Sequence, residues 1–469
     1  MEKFFKIKER GSNVRTEILA GVTTFMAMSY ILMVNPGMFS DLGIGDGFFN
    51  AVFIATALSA IVGTVLIGLI ANLPLAQASG MGLNAFFVYT VCFGLGFTYA
   101  NALVFVLIDG LVFVLLTLTG LRKTIFEAVP KRVRKIIPAG IGLFIAFIGF
   151  QDAKLVVNDD STLVKLASFN ILGADFTWAS IMPLVVTIAT VLSIAVLSKK
   201  QVRGAIIISI LGGAALYYLL GYATIADFAV AIDNLSPLKA FKDFGQLSFG
   251  KVFTEGFDFS AYLANHSVAA LVLNFITTAL AFCMVDMFDT MGTLYGACRA
   301  GNMLVKNEEG EDVVPNLNKA MFADAVATCT GAICGTSTVT TYVESSAGTA
   351  AGGKTGLAAM ATAAMFFIAM FLSPVASLIP ACAYAAALIY VGILMMSCVK
   401  DIQWDNPSVA VPSFLTLVMM AFTYNISYGI AFGLFAHCVI KVFTGKIKEV
   451  KISTWVITLL FVAMFLFTH

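Results

Sequence analysis

Apolar segments, each about as long as a helix needs to cross a lipid bilayer, follow one another along almost the whole chain. A bilayer core requires about 20 apolar residues per helix, and fourteen segments of this kind can be counted in the 469 residues. Only 12% of the residues are charged, compared with about 25% in a soluble protein. We therefore predict an all-α polytopic membrane protein.

The predicted spans form two sets of seven, separated by a more polar stretch at 226–265. An extra apolar segment at 452–468 either spans the bilayer or lies along its surface. The first set is placed near 16–34, 50–72, 76–95, 99–120, 135–151, 178–198 and 203–225. The second set is placed near 268–290, 316–333, 336–350, 355–378, 380–398, 410–424 and 427–443.

Lys and Arg residues cluster at the start of the chain and after even-numbered spans. Because positive residues are retained on the cytoplasmic side, this pattern predicts a cytoplasmic N-terminus and an external 226–265 stretch. The clusters are Lys3, Lys6, Lys8, Arg10 and Arg15; Arg122, Lys123, Lys131, Arg132, Arg134 and Lys135; Lys199, Lys200 and Arg203; and Lys441, Lys446, Lys448 and Lys451.

The two sets of spans carry weak internal similarity. "TTFMA" at 23–27 matches "TTALA" at 277–281, and "IPAGIGLFIAFIG" from Ile137 matches "IPACAYAAALIYVG" from Ile379. Halves that share a fold and have an odd number of spans insert in opposite orientations. The pattern therefore predicts the inverted-repeat architecture of secondary transporters, in a 7+7 arrangement.

The third span of each half begins with small polar residues, in "LAQASGMGLNAFFVYTV" and "CGTSTVTTYVESSAGTA". Non-helical backbone inside a membrane must be buried in protein or line a cavity. We predict that spans 3 and 10 are each a short strand followed by a half helix, with their positive N-terminal ends facing one another near the midplane. The alternative is that the glycines and serines only allow close helix packing.

We single out three of the acidic residues inside predicted spans, where a charge costs roughly 2.5–3.5 kcal/mol. Asp286 and Asp289 are three residues apart in "MVDMFDTMGTLYG" and so share one helix face, and Glu344 belongs to span 10. These acids are candidates to bind a proton or a polar substrate. Two alternatives stay open: pairing with Ser and Thr hydroxyls, and simple solvation of one Asp near the cytoplasmic end of span 8.

The stretch "GTAAGGKT" at 348–355 satisfies the G-x-x-x-x-G-K-T spacing of phosphate-binding loops. The strand, soluble helix and metal-binding Asp that accompany such a loop are not visible, so we do not expect nucleotide binding. The eight Cys lack C-x-x-C spacing and three His cannot build a metal cluster. No metal or other cofactor is expected, and the net charge of +1 gives no indication of nucleic-acid binding.

Four long motifs resemble the AzgA-like branch of the nucleobase-cation symporter-2 family, the guanine/hypoxanthine and adenine permeases. They are "RTEILAGVTTFMAMSYILMVNP" at 15–36, "GMGLNAFFVYTV" at 80–91, "FDTMGTLYG" at 288–296 and "GTSTVTTYVESSAGTAAGGKTG" at 335–356. The resemblance covers nearly the entire chain. It implies a protein that is integral to the plasma (inner) membrane and imports purines with protons, and it leaves a homodimer possible.

The resemblance also implies a core domain, which rocks against a gate domain. The core would comprise residues 1–125 and 266–378, and the gate 126–230 and 379–450, with a linker at 231–265 and an extra C-terminal segment at 451–469. The family's span-10 Glu matches Glu344, its span-8 acid matches Asp289 or Asp286, and its span-3 Asn matches Asn84.

The edge of a purine carries both hydrogen-bond donors and acceptors, and its faces are apolar. We expect Glu344 and Asp289 to accept its N–H groups, and Asn84 to bond its carbonyl or ring nitrogen. Phe86 and Phe288 are candidates to contact its faces. Asp286, Asp289 and Glu344 are the candidates for proton coupling.

Other functions were considered beside import of guanine, hypoxanthine or adenine. The same fold could carry uracil, xanthine or a small anion, although neither half-helix entrance has the Lys or Arg that an anion favours. A channel would show no concentrative uptake. A membrane enzyme would need a nucleophile and a base or a metal cluster, none of which we find in the sequence, so no enzymatic activity is expected.

Overall fold

The computed structural model of the protein describes residues 2–119, 129–170, 177–220, 237–306 and 312–468. Within these ranges, eight helices are long and apolar enough to cross a membrane, and five shorter apolar helices accompany them. Spans 1 to 7 are Val14–Met28 with Ile31–Ser40, Phe48–Leu66 with Ile67–Ala71, Gln77–Ser79 with Met81–Ala85 and Phe86–Gly94, Tyr99–Thr119, Lys131–Asp152, Trp178–Lys199 and Ala205–Leu219. Spans 8 to 14 are Val268–Ala300, Leu317–Cys334, Val339–Thr341 with Ser345–Ala350, Gly356–Met370, Ala381–Met395, Pro407–Phe422 and Ile426–Phe443.

Some predicted features lie outside the described residues: Arg122 and Lys123, the end of span 7 at 221–225, and the domain junctions at 125/126 and 230/231.

The connections between spans contain short regular elements. Two short hairpins join Val156–Asp159 to Leu163–Leu166 and Val305–Lys306 to Asp312–Val313. The other short helices are Glu2–Phe5, Pro237–Leu247, Lys251–Thr254, Ser260–Leu263, Ser373–Ala376, Met396–Asp401 and Ile447–Glu449.

Span 8 is a helix of 33 residues, Val268–Ala300, and ends ten residues later than predicted. Ser267 caps its start by accepting a hydrogen bond from Ala270 N at 3.2 Å. Beyond the predicted end, Thr293 bonds back to the Asp289 carbonyl at 2.8 Å and the helix stays intact. Asp289 is therefore in the body of the helix. The alternative that one Asp of span 8 is simply solvated near the cytoplasmic end stays open.

Spans 3 and 10 cross as two short antiparallel strands, each followed by a half helix. Gln77 pairs with Thr341 and Ser79 with Val339, and Gly80 N donates to Thr338 O at 2.9 Å. The half helices begin at Met81 and Ser345. The strands satisfy each other's backbone groups, which the bilayer itself cannot do. The predicted strand-plus-half-helix arrangement is confirmed.

The spans pack in two groups. In the first group, span 9 contacts spans 2 and 4, and spans 1, 2 and 11 contact one another. In the second group, span 5 contacts spans 12 and 13, span 13 contacts span 14, and spans 6, 7 and 12 contact one another. This is the core-and-gate organisation of the fold class. The individual domain boundaries stay a prediction.

The C-terminal helix, Ile452–Thr468, packs against spans 8 and 14. Phe465 contacts Tyr428 with ring centroids 5.2 Å apart, while Thr458 lies 3.5 Å from Cys438. The contacts approach the start of the C-terminal helix as span 14 proceeds, so the two helices run antiparallel. The helix therefore runs along the bundle and does not lie across its surface.

Spans 2 and 11 approach each other so closely that their backbones touch. A Cβ on Gly356 would lie 2.0 Å from Gly68 O. Gly356→Ala is therefore expected to lower stability by roughly 1–3 kcal/mol, the usual range for overpacking, measured as a lower thermal midpoint of the purified protein in detergent. Gly212→Ala is the control, because nothing lies within 4 Å of the added Cβ. Equal midpoints for the two variants would contradict this packing.

Candidate functional site

Glu344 stands where the strand of span 10 turns into its half helix, Ser345–Ala350. The Tyr30 hydroxyl donates a hydrogen bond to Glu344 Oε1 at 2.5 Å. Tyr30 is 1% exposed and sits at the break between the two helices of span 1. Glu344 itself remains partly exposed. The buried Tyr30 hydroxyl thus orients the Glu344 carboxylate, which solvent or a substrate can reach.

Asp289 is the second half-buried carboxylate of this region. It lies within electrostatic range of Glu344, and the hydroxyl groups of Tyr30 and Tyr342 lie within range of both acids. Spans 1, 8 and 10 therefore bring two carboxylates and two phenols together beside the crossover. Both carboxylates can accept hydrogen bonds, and the phenols can donate or accept them.

Asp286 faces a different environment from Asp289, although one helical turn separates them. Its side chain is fully buried, and Thr290 Oγ1 approaches Asp286 Oδ1 at 3.4 Å. The structure therefore distinguishes the two aspartates that the resemblance left as alternatives for the family's span-8 acid. Asp289 lies near Glu344, and Asp286 lies in the packed interior of the span 8 region.

A buried network continues from Asp286 to acids that we did not single out in the sequence. Asp324 accepts hydrogen bonds from Gln77 Nε2 and Thr290 Oγ1, both at 2.9 Å. Thr290 and Thr340 hydroxyls lie 2.6 Å apart. Asp324 is 1% exposed, so burying it depends on these bonds. The network joins spans 3, 8, 9 and 10.

Asp109 of span 4 approaches the same region, where Thr338 Oγ1 lies 3.5 Å from its Oδ2. Asp109 and Asp324 each interrupt an apolar run, in "VLIDGLVFV" and "MFADAVATC". The rule that selected Glu344, that an acid inside a span is a candidate, would have found both.

Asn84 is fully buried and connects the two half-helix entrances. Its Oδ1 accepts a hydrogen bond from Ser337 Oγ of span 10, and its Nδ2 lies 3.5 Å from Ser79 O. The amide is therefore engaged within the crossover itself. Direct contact between Asn84 and a purine stays a prediction.

Phe86 and Phe288 are both buried in the main hydrophobic cluster. The ring of Phe86 meets Phe282 edge-on, with centroids 4.9 Å apart. Tyr30 and Tyr342 are the aromatic residues associated with Glu344, and both were missed in the sequence. Within the described ranges, no cluster of His, Cys, Asp and Glu suited to a metal is present.

Solved membrane transporters share this architecture. The transmembrane domain of the cyanobacterial bicarbonate transporter BicA superposes with a TM-score of 0.59 at 14% identity, covering 89% of this chain and 97% of that one. The murine Solute Carrier 26 family member A9 anion transporter, solved in the inward-facing state, gives a TM-score of 0.59 at 11% identity, covering 92% and 69%. These similarities establish the 7+7 inverted-repeat fold.

Sequence comparisons identify closer relatives. A putative permease of Methanocaldococcus jannaschii is 38% identical over 100% of this chain and 98% of its own length. The guanine/hypoxanthine permease PbuO of Bacillus subtilis is 37% identical over 97% and 98%, and the adenine permease AdeQ of Escherichia coli is 34% identical over 98% and 95%. The Permease family model for xanthine and uracil permeases matches residues 15–432. Together with the membrane-spanning helices and the crossover, these matches place the chain in the nucleobase-cation symporter-2 family of integral membrane permeases.

Proposed function

We propose that this protein imports purine nucleobases, namely guanine, hypoxanthine or adenine, by proton symport. The observation that carries the proposal is the pair of half-buried carboxylates, Glu344 and Asp289, beside the two half-helix entrances. The names of the guanine/hypoxanthine and adenine permeases support the substrate class. The same relatives support a transport role rather than an enzymatic one.

The carboxylates match the edge of a purine. A purine presents N–H donors along its edge, and Glu344 and Asp289 supply the acceptors. Tyr30 holds Glu344 in place by a bond of 2.5 Å. The positive ends of the half helices and Asn84 favour the carbonyl or ring nitrogen. We keep Phe86 and Phe288 as candidates for contact with the ring faces, with Tyr30 and Tyr342 as additions.

Proton coupling would use acids at membrane depth. Two carboxylates close together in a poorly solvated site repel one another, and a shared proton relieves this repulsion. A proton on Glu344 or Asp289 would enter with the purine, and Asp286 is the third candidate for this role. Discharge on the inner side would weaken binding and favour release.

Alternating access would arise from movement of one helix group against the other. We assign residues 1–125 and 266–378 to the core and residues 126–230 and 379–450 to the gate. The N-terminus would face the cytoplasm of a cell bounded by the plasma (inner) membrane, because Lys and Arg residues cluster at that end.

Tracer uptake into vesicles tests the proposal. Purified protein in liposomes with an imposed inward proton gradient should accumulate labelled guanine, hypoxanthine or adenine, and a protonophore should abolish accumulation. Unlabelled uracil and xanthine should compete poorly. Uptake that never exceeds equilibrium would contradict symport, while preferential competition by uracil would contradict the purine assignment. Empty liposomes supply the background.

A further inference from the structure

The phosphate-loop-like stretch at 348–355 donates hydrogen bonds to a carboxylate of the protein itself, that of Glu17. Lys354 N donates to Glu17 Oε1 at 3.0 Å, and Thr355 N donates to Glu17 Oε2 at 3.1 Å. Glu17 is fully buried. These donors precede span 11, whose N-terminal dipole also favours a negative charge. Glu17 of span 1 is thus the anionic partner of the N–H groups at the end of this stretch.

The surrounding groups secure this turn from two further sides. Arg10 Nη1 donates to Lys354 O at 3.0 Å and to Asn72 O at 2.7 Å. Gly356 N donates to Asn72 Oδ1 at 2.8 Å. The segment before span 1 and the end of span 2 therefore meet at the start of span 11. Among the described residues, no Lys or Arg forms an ion pair with Glu17, so backbone N–H groups stabilise its charge.

Span 1 continues from this tie along the half helix of span 10. A Cβ on Gly348 would lie 2.0 Å from Thr24 Oγ1, and a Cβ on Gly353 would lie 2.8 Å from the Ala20 side chain. At the other end of the contact, Tyr30 bonds Glu344. Tyr30 follows Glu17 by thirteen residues, or roughly 20 Å of helix. Span 1 is thus hydrogen-bonded to the span 10 segment on both sides of its half helix, at Glu344 and at the turn after Ala350.

The half helix of span 10 needs such support because it has only six residues, Ser345–Ala350. A helix this short is marginal without tertiary contacts. Glu344 lies at its start, and the turn held by Glu17 lies just after its end. Movement of that turn would therefore be transmitted to Glu344 through a single, short element.

We propose that Glu17 is a positioning residue, which fixes the turn after span 10 and thereby holds Glu344 in its binding geometry. This inference rests on the proposed role of Glu344 in purine binding. It also explains the G-G-K-T motif without a nucleotide. The motif supplies two backbone N–H groups, and the Lys354 ammonium forms no hydrogen bond or ion pair with the described residues.

Transport kinetics test the proposal. Glu17→Ala should raise the apparent KM for the purine at least fivefold with little change in maximal rate, and Glu17→Gln, which keeps one acceptor oxygen, should give a smaller increase. Lys354→Ala should transport like the wild type. Asn101→Ala is the matched structural control, because Asn101 is also fully buried and bonds Gly256 O at 2.7 Å and Asp258 O at 2.9 Å. It should lower the thermal midpoint without changing the KM.

Hydrogen exchange provides a readout that does not require transport. Backbone amides at 345–350 should exchange faster in the Glu17 variants than in the wild type or in Asn101→Ala. A wild-type KM and unchanged exchange in Glu17→Ala would overturn the inference, as would an equal rise in KM in Asn101→Ala. If the wild type transports no purine, the proposed function fails. In that case, faster exchange at 345–350 would still support the positioning of this segment, and unchanged exchange would refute it.

Discussion

Purine uptake is expected to fall by up to about 100-fold when Glu344 is replaced by Gln. The Gln side chain has nearly the same shape, but it presents an N–H₂ group where the carboxylate has an acceptor. A hydrogen bond to a charged group contributes about 1.5–3 kcal/mol, and about 2.7 kcal/mol corresponds to a 100-fold change. Initial rates of labelled hypoxanthine uptake under an imposed proton gradient measure the effect.

Tyr30→Phe is the matched control for this prediction. It removes the 2.5 Å bond to Glu344 and keeps the ring and the carboxylate. We expect a roughly tenfold rise in apparent KM, a smaller effect than that of Glu344→Gln. Proton-driven uptake that remains intact in Glu344→Gln, with normal amounts of protein in the membrane, would contradict the assignment of Glu344.

The second large effect is expected on stability, at Asp324. Asp324→Leu removes the acceptor for Gln77 Nε2 and for Thr290 Oγ1. Thr290 keeps Thr340 and Asp286 as partners and Gln77 Nε2 keeps Thr341, so one Gln77 N–H is left unsatisfied, at a cost of about 1–3 kcal/mol, a substantial part of an ordinary folding free energy. Size-exclusion chromatography of the detergent-solubilised protein should show a smaller monodisperse peak, together with a lower thermal midpoint.

Asp324→Asn separates the lost charge from the lost bonds. An Asn oxygen can still accept from Gln77, and the Thr290 hydroxyl can turn to accept from the new N–H₂ group. This variant should therefore retain a near wild-type peak and thermal midpoint. An equally large loss in Asp324→Asn would show that the charge matters more than the hydrogen bonds. A normal peak for Asp324→Leu would contradict the network as a source of stability.

Much of the architecture was predictable because a bilayer imposes a simple length requirement on each helix. Most spans were located to within about four residues. The exceptions are span 1, which ends six residues later than predicted at Ser40, span 11, whose helix ends eight residues earlier at Met370, and span 8. Thr290 stands at the predicted end of span 8, and Thr293 lies beyond it. The long helix becomes understandable only when Thr290 is seen bonding Asp324, a contact between residues 34 positions apart.

The site was only partly predictable, because several of its contacts also join residues that are far apart in the sequence. Glu344 and Asp289 stand out as acids in apolar surroundings, and the structure brings them into the same region. Tyr30 could not be singled out, since one tyrosine among 13 has no linear mark that points to Glu344. Glu17 was overlooked because it sits among charged residues at the start of span 1. Its role depends on a turn 337 residues away.

The paired strands of spans 3 and 10 have a consequence for the unloaded carrier. Each segment supplies the hydrogen-bonding partners that the other lacks, for instance between Gly80 N and Thr338 O. Because the bilayer cannot satisfy backbone N–H and C=O groups, this pairing lets the crossover stay folded without a bound substrate.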